Sequence, residues 1–215
     1  MAGKFITFEG GEGVGKSTQV KRLAARLLAE GRKVVVTREP GGTPTAEAIR
    51  EFVLGGLAVE IGPRGEALLM ATARADHVTK IIRPALTKND WVICDRFSDS
   101  TRVYQGGPDG AGEAYLDALD RLAVGDTRPD LTFLLDLPVA AALARLSARY
   151  SARGAAADRF ERDGVAEHEA RRQAYLDIAA QAPNRCVVID ATGSEDQVAA
   201  AVFESVKARL LAAVA

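Results

Sequence analysis

The chain has 215 residues, 47% of them hydrophobic and 27% charged, with a formal net charge of −1. That length supports one substantial core, expected as a single domain over residues 1–215, and the near-neutral balance gives no bulk attraction for nucleic acid or an anionic membrane, so any basic site has to be local. No apolar run reaches the ~20 residues that span a bilayer, no signal peptide is read ahead of the first strand, and Cys94 and Cys186 sit in apolar runs as buried thiols do in a reducing compartment; the expected location is the cytoplasm.

Residues 5–18, FITFEGGEGVGKST, pass from an apolar run through glycines into Lys-Ser-Thr at the head of an amphipathic stretch carrying Val20, Leu23, Ala24, Leu27 and Leu28. Gly10, Gly15, Lys16 and Ser17 fit GxxxxGK[ST], a phosphate-cradling loop between a strand and a helix. The expected nucleoside triphosphate site is therefore residues 10–18: Gly10, Gly11, Glu12, Gly13, Val14, Gly15, Lys16, Ser17 and Thr18. Glycines let successive N–H groups turn inward on a polyphosphate, and the helix N-terminus adds its own unpaired N–H groups. Lys16 reaches the terminal phosphates and Ser17 can ligate Mg²⁺.

Gly31 stops that helix, and residues 33–37 (KVVVT) read as a continuous buried strand. The stretch REPGGTP at 38–44 is loop chemistry, with Pro44 opening a helix through Ala48, Ile49, Phe52 and Val53; residues 58–65 read as another loop. From Glu66 a helical pattern runs until Pro84 disturbs it. Residues 91–95 (WVICD) are a third buried strand ending on Asp95-Arg96, and residues 106–112 a glycine-rich loop before a helix on Tyr115, Leu116, Leu119 and Leu122. A strand at 131–135 precedes Pro138 and an Ala-rich helix; a polar helix then runs to about Ala182, followed by a strand at 186–190. Ser194 and Gln197 form a capping box for a last helix. Five buried strands alternating with helices predict an α/β domain whose parallel sheet is covered on both faces.

Ligands of an open parallel sheet bind outside the carboxyl ends of its strands, so Glu9, Arg38, Glu39, Asp95 and Arg96 are expected to converge with the phosphate loop on one cleft. Arg96 suits a bidentate grip on a second phosphate and Asp95 the Mg²⁺ shell. The phosphate loop holds Glu12 but no arginine, and phosphoryl transfer is catalysed chiefly by positioning and by cations on the transferring group. Residues 149–161 (RYSARGAAADRFE) are therefore expected to act as a mobile lid, with Arg149, Arg153 and Arg159 supplying those cations and closure excluding water. His77 and His168 have no partners at metal-ligand spacing, and no pattern of a covalent nucleophile is present.

FEGGEGVGKST at 8–18, TREPGGTP at 37–44, LLMATARADHV around Arg74, DRFSDSTRVYQG at 95–106 and the stretch ending DRFE at 158–161 together resemble the bacterial thymidylate kinases, in order and over nearly the whole chain. The resemblance implies the fold of the P-loop nucleoside monophosphate kinases, a five-stranded parallel sheet with helices on both faces and a lid. It also implies transfer of the γ-phosphoryl group of ATP to dTMP, with Mg²⁺, in a homodimer. By that resemblance Glu12 lies by the sugar and metal, Glu39 near the sugar, and Arg50 and Arg96 hold the dTMP phosphate. Arg74 bonds the thymine edge, Ser100, Thr101 and Gln105 line the base pocket, and Tyr104 crowds the sugar against a ribose 2′-hydroxyl. The implied catalytic set is Lys16, Glu12, Arg96, Arg149 and Arg153. Where the family usually places an aromatic ring on the base, this chain has Met70, whose thioether can lie against the ring instead. Competing readings are another nucleoside or nucleoside monophosphate kinase, a nucleotide-driven switch, which would want an NKxD-type guanine reader not found here, and a protein that holds ATP without turnover.

Overall fold

The computed structural model describes residues 3–153 and 159–211, the side chains of 152 and 153 excepted. The apolar runs form β1 (Phe5–Glu9), β2 (Val34–Arg38), β3 (Trp91–Asp95), β4 (Leu131–Asp136) and β5 (Cys186–Asp190), all parallel, in the order β2-β3-β1-β4-β5. Side chains alternate across a strand, so β1 feeds two cores. Ile6 and Phe8 join Ile93 and Phe133 beneath α1 (Lys16–Ala29) and α9 (Glu195–Val206), while Phe5 joins Val92, Cys94 and Phe97 beneath the helices of the other face. Each large apolar side chain so buried contributes roughly 1.5–3 kcal/mol, so this central strand ties the two cores together.

Two runs predicted as buried strands lie at the sheet edges. Val36 of β2 is 49% exposed and Val188 of β5 47% exposed. An apolar run reports strand propensity; whether a strand is central depends on the order in which strands pair.

The helices depart from expectation at four places. α2 (Pro44–Leu54) begins as predicted, with Thr43 capping Ala46 N–H. After a short 3-10 turn at Val59–Ile61, however, α3 (Gly62–His77) starts four residues before Glu66, because Pro63 is a good first-turn residue. Pro84 does not end the helical path. A π-helical stretch at Val78–Ile82 widens the turn ahead of it and leads into α4 (Arg83–Thr87), which accommodates a ring that would clash within an unbroken α-helix. Directly after β3 lies α5 (Ser98–Gln105), too short and polar to show an apolar period. Finally, α7 (Val139–Arg153) follows α6 (Glu113–Val124) and carries the first part of the expected lid as ordinary helix; α8 (Val165–Gln181) follows.

Candidate active site

The phosphate loop is shaped by its glycines. Gly10 and Gly13 have φ of +131° and +74°, and a Cβ at Gly10 would sit 2.6 Å from the Leu135 carbonyl while one at Gly13 would run into that of Ala142. Gly15, at φ +102°, is the N-cap of α1, and its carbonyl accepts from the N–H groups of Thr18 and Gln19. Lys16 folds back over the loop, its Nζ donating to the carbonyls of Gly10 (3.0 Å) and Gly11 (2.5 Å). Burial first, and Arg96 second, depress its ammonium to about 8 against the pull of Asp95, Glu12 and Glu9. An anion entering the loop offers that charge the counter-ion it lacks.

Next to the loop, Ser17 Oγ donates to Asp95 Oδ2 at 2.5 Å. Arg96 follows with φ +70°, a left-handed backbone that costs a non-glycine residue ~1–2 kcal/mol. That turn aims its guanidinium across the sheet end: Nη2 donates to Glu12 Oε1 (2.8 Å) and Tyr104 Oη (3.2 Å), and Nη1 lies within 3.1 Å of Gly10 O, Ser100 Oγ and Tyr175 Oη. Tyr104 Oη in turn donates to both Glu12 oxygens, at 2.5 and 2.6 Å. Burial opposes ionisation of Glu12, yet Arg96, Lys16, the Tyr104 hydroxyl and Arg171 together hold its carboxyl below the ordinary range.

On the other flank, α3 delivers Arg74. Its Nε donates to Glu39 Oε2 (2.7 Å), and its Nη2 to Phe97 O (3.1 Å) and Thr101 Oγ1 (2.9 Å). Glu39 is fixed from behind by His77 at 2.9 Å, whose other ring nitrogen meets Thr37 Oγ1 at 2.7 Å. His77 is thus a buried support and no ligand. Arg50 Nη1 donates to Pro40 O at 3.1 Å.

These groups share one cleft of about 820 Å³. Glu12 to Thr18 line it, as do Glu39, Arg50, Met70, Arg74, Asp95, Arg96, Ser100, Thr101, Tyr104, Gln105 and Arg149. The structure places the remaining expected residues as follows, with Glu9 and Arg159 departing from expectation. Gly10 and Gly11 face a small second cavity behind the loop. Glu9 does not reach the cleft: 1% exposed, it lies beneath it and accepts from Phe97 N–H (2.7 Å) and Ser100 Oγ (2.6 Å). Arg159 is engaged elsewhere, in a fork on Glu66 at 2.6 and 2.8 Å, with Gln105 Nε2 on the same carboxylate at 3.3 Å. Arg149 sits on α7 paired with Glu161 at 2.5 Å, while the side chain of Arg153 and residues 154–158 lie outside the described residues.

Sequence reasoning passed over several neighbours. Phe160 and Glu161 line the cleft, and Arg171 of α8 stacks on the Tyr104 ring at 4.8 Å. At the far end Arg145, Leu146, Gly193, Ser194 and Val198 form the wall, Arg145 Nη2 donating to Ala191 O at 3.0 Å. The β5–α9 turn had only a capping signature in the sequence, and Arg145, within an Ala-rich helix, carries no local signal of a site.

A family model described as thymidylate kinase matches residues 8–202. A thymidylate kinase of Bradyrhizobium sp. (strain BTAi1 / ATCC BAA-1182) is 52% identical over 214 residues, covering 99% of this chain and 93% of that one. The chain belongs to the thymidylate kinase family. A thymidylate kinase of Nitrobacter winogradskyi is 52% identical over 212 residues, covering 98% of this chain and 91% of that one. The crystal structure of thymidylate kinase from Ehrlichia chaffeensis superposes with a TM-score of 0.73 at 34% identity, covering 96% and 99% of the two chains. The predicted fold class holds accordingly.

For a thymidylate kinase of this build, the fit to Mg²⁺ rests on hard oxygen donors. Ser17 Oγ and Asp95 Oδ2 meet beside the phosphate loop, and among the described residues no cluster of three or more His, Cys, Asp or Glu could form an all-protein cage. That sparse set suits a Mg²⁺ ion that keeps waters and takes most of its ligands from phosphates.

Proposed function

We propose that this chain transfers the γ-phosphoryl group of ATP to dTMP, giving ADP and dTDP, as a single-domain cytoplasmic homodimer. The observation that carries the reading is the two-ended cleft. At one end lies a phosphate loop with its lysine; at the other, a pocket walled by Met70, Arg74, Thr101 and Tyr104, with Arg96 between them.

The loop N–H groups and Lys16 hold the ATP phosphates, and the base reaches toward Arg145 and the β5–α9 turn. Ser17 and Asp95 would hold Mg²⁺, which would supply charge neutralisation at the phosphate oxygens. Arg96 and Arg50 take the acceptor phosphate. To do so Arg96 exchanges its bonds to Gly10 O and Ser100 for phosphate oxygens while Glu12 keeps its orientation. Arg74, its Nε and Nη2 already bound within the protein, keeps Nη1 for the pyrimidine edge. Arg149, released from the carboxylate of Glu161, supplies positive charge to the transferring group, a role that the resemblance gives to Arg153 as well. No helix among the described residues is long and apolar enough to cross a membrane. Exposed Leu57, Val59, Ile61 and Leu68, gathered before and along α3, support pairing of two copies.

The test is turnover of purified protein with ATP, Mg²⁺ and a panel of nucleosides and monophosphates, resolving products. The expected order is dTMP above dUMP, with ribothymidine monophosphate weakest. Preference for any other acceptor overturns the reading.

A further inference from the structure

Tyr104 stands in the cleft with its ring enclosed. Its hydroxyl is fixed on Glu12, and Arg96 lies over the ring at 5.1 Å. Two further groups complete the enclosure, and neither belongs to the residues assigned to substrate above. Phe160 meets the ring edge-to-face, centroids 4.9 Å apart at 75°, and Arg171 stacks on it at 4.8 Å. Phe160 also packs against the apolar cluster of Val53, Ala58 and Met70, so its ring links that cluster to Tyr104.

The local sequence explains how these groups arrive together. Arg171 and Tyr175 are four apart on α8 and therefore share a face. Tyr175 Oη reaches Arg96 and Ser100, both at 2.8 Å, while Arg171 covers Tyr104 one turn earlier. The guanidinium also donates to Phe160 O at 3.3 Å, pairs with Asp163, and lies 5.4 Å from the Phe160 ring. Arg171 thereby ties the 3-10 turn Phe160–Arg162 to α8 and to Tyr104 at once.

A side chain rejects a substrate by bulk only if it cannot swing away; a loosely held ring yields to the extra atom at little cost. We propose that Phe160 and Arg171 are positioning residues for acceptor specificity, holding Tyr104 rigid so that a 2′-hydroxyl on the acceptor sugar is excluded. This rests on the dTMP kinase reading, in which Tyr104 faces the sugar. Aromatic and cation–π contacts of this kind are worth enough, taken together, to make the ring's displacement unfavourable.

The experiment compares kcat/KM for dTMP and for ribothymidine 5′-monophosphate in wild type, Phe160→Leu, Arg171→Met and Phe160→Tyr, with the melting shift each monophosphate induces as a readout independent of turnover. In Phe160→Leu and Arg171→Met the preference for dTMP is expected to fall about tenfold, chiefly through better use of the ribonucleotide, with the ATP KM within about twofold. Phe160→Tyr, which keeps the ring, retains the preference. A merely structural role predicts equal losses toward both acceptors. An unchanged ratio in the two disruptive variants, with wild type active on dTMP, overturns this inference alone; a wild type inactive on dTMP overturns the kinase reading beneath it.

Discussion

Glu9 ends the central strand with a carboxyl that the chemistry of the cleft never touches, yet it organises the floor. Burial first, then the nearby Asp99 charge, which Arg185 clamps at 2.7 and 3.1 Å, raise Glu9 from 4.5 to about 7; Ser100, Arg96 and the Phe97 N–H oppose them. Between those two values the folded chain holds a proton that the unfolded chain has released. Glu9's contribution to stability is therefore full below about 4.5 and is lost as pH rises through about 7, by up to ~3 kcal/mol. Melting temperature is expected to drop between pH 5 and 8, and Glu9→Gln to flatten that slope; parallel profiles for the two proteins would contradict it. A second residue-scale expectation concerns Arg149, which lines the cleft within reach of Glu161. Arg149→Ala should lower kcat by roughly 10²–10³-fold with dTMP KM changed less than about threefold, the pattern of charge needed only at the transition state. Steady-state kinetics decides it.

At the scale of the element, the phosphate loop is held as much by its backing helix as by its own turns. Gly13 faces the carbonyl of Ala142 and the side chain of Leu146, both on α7, and its φ is +74°. Gly13→Ala therefore sets a methyl against an immovable backbone oxygen in a conformation that L residues avoid. It should cost about 2–4 kcal/mol or displace the loop from α7, seen as a lower melting temperature together with weakened ATP binding. Wild-type values for both would show the loop to be more plastic than its packing implies. The same α7 carries Arg145 and Arg149 on toward the cleft, so loop packing and two cleft-lining arginines share one helix. The π-helical stretch ahead of Pro84 shows a related economy: a wider turn lets one helical path hold both Arg74 and a proline.

For the molecule as a whole, the exposed apolar side chains Leu57, Val59, Ile61 and Leu68 are concentrated where α2 hands over to α3. Light scattering during gel filtration should give the mass of two chains, and Leu68→Glu should shift it to one; a wild-type monomer at tens of micromolar would remove the dimer from the reading. Tm should rise when ATP and dTMP are present together, since a ligand at a hundred times its Kd adds ~2.7 kcal/mol to the folded state.

What sequence alone determined was the chemistry held within contiguous residues. The phosphate loop follows from glycine spacing and a lysine, because backbone torsions and local N–H direction are set by neighbours within a few positions. The five strands follow from apolar runs. Which strands stand at the edge, that Glu9 lies below the cleft while Glu39 lines it, that Arg159 is spent on Glu66, and that Phe160 and Arg171 enclose Tyr104 were decided only by the tertiary structure. Each depends on which of several equally charged or apolar residues, far apart in the chain, the packing of strands and helices brings within a few ångströms of one another, and no local pattern encodes that distance.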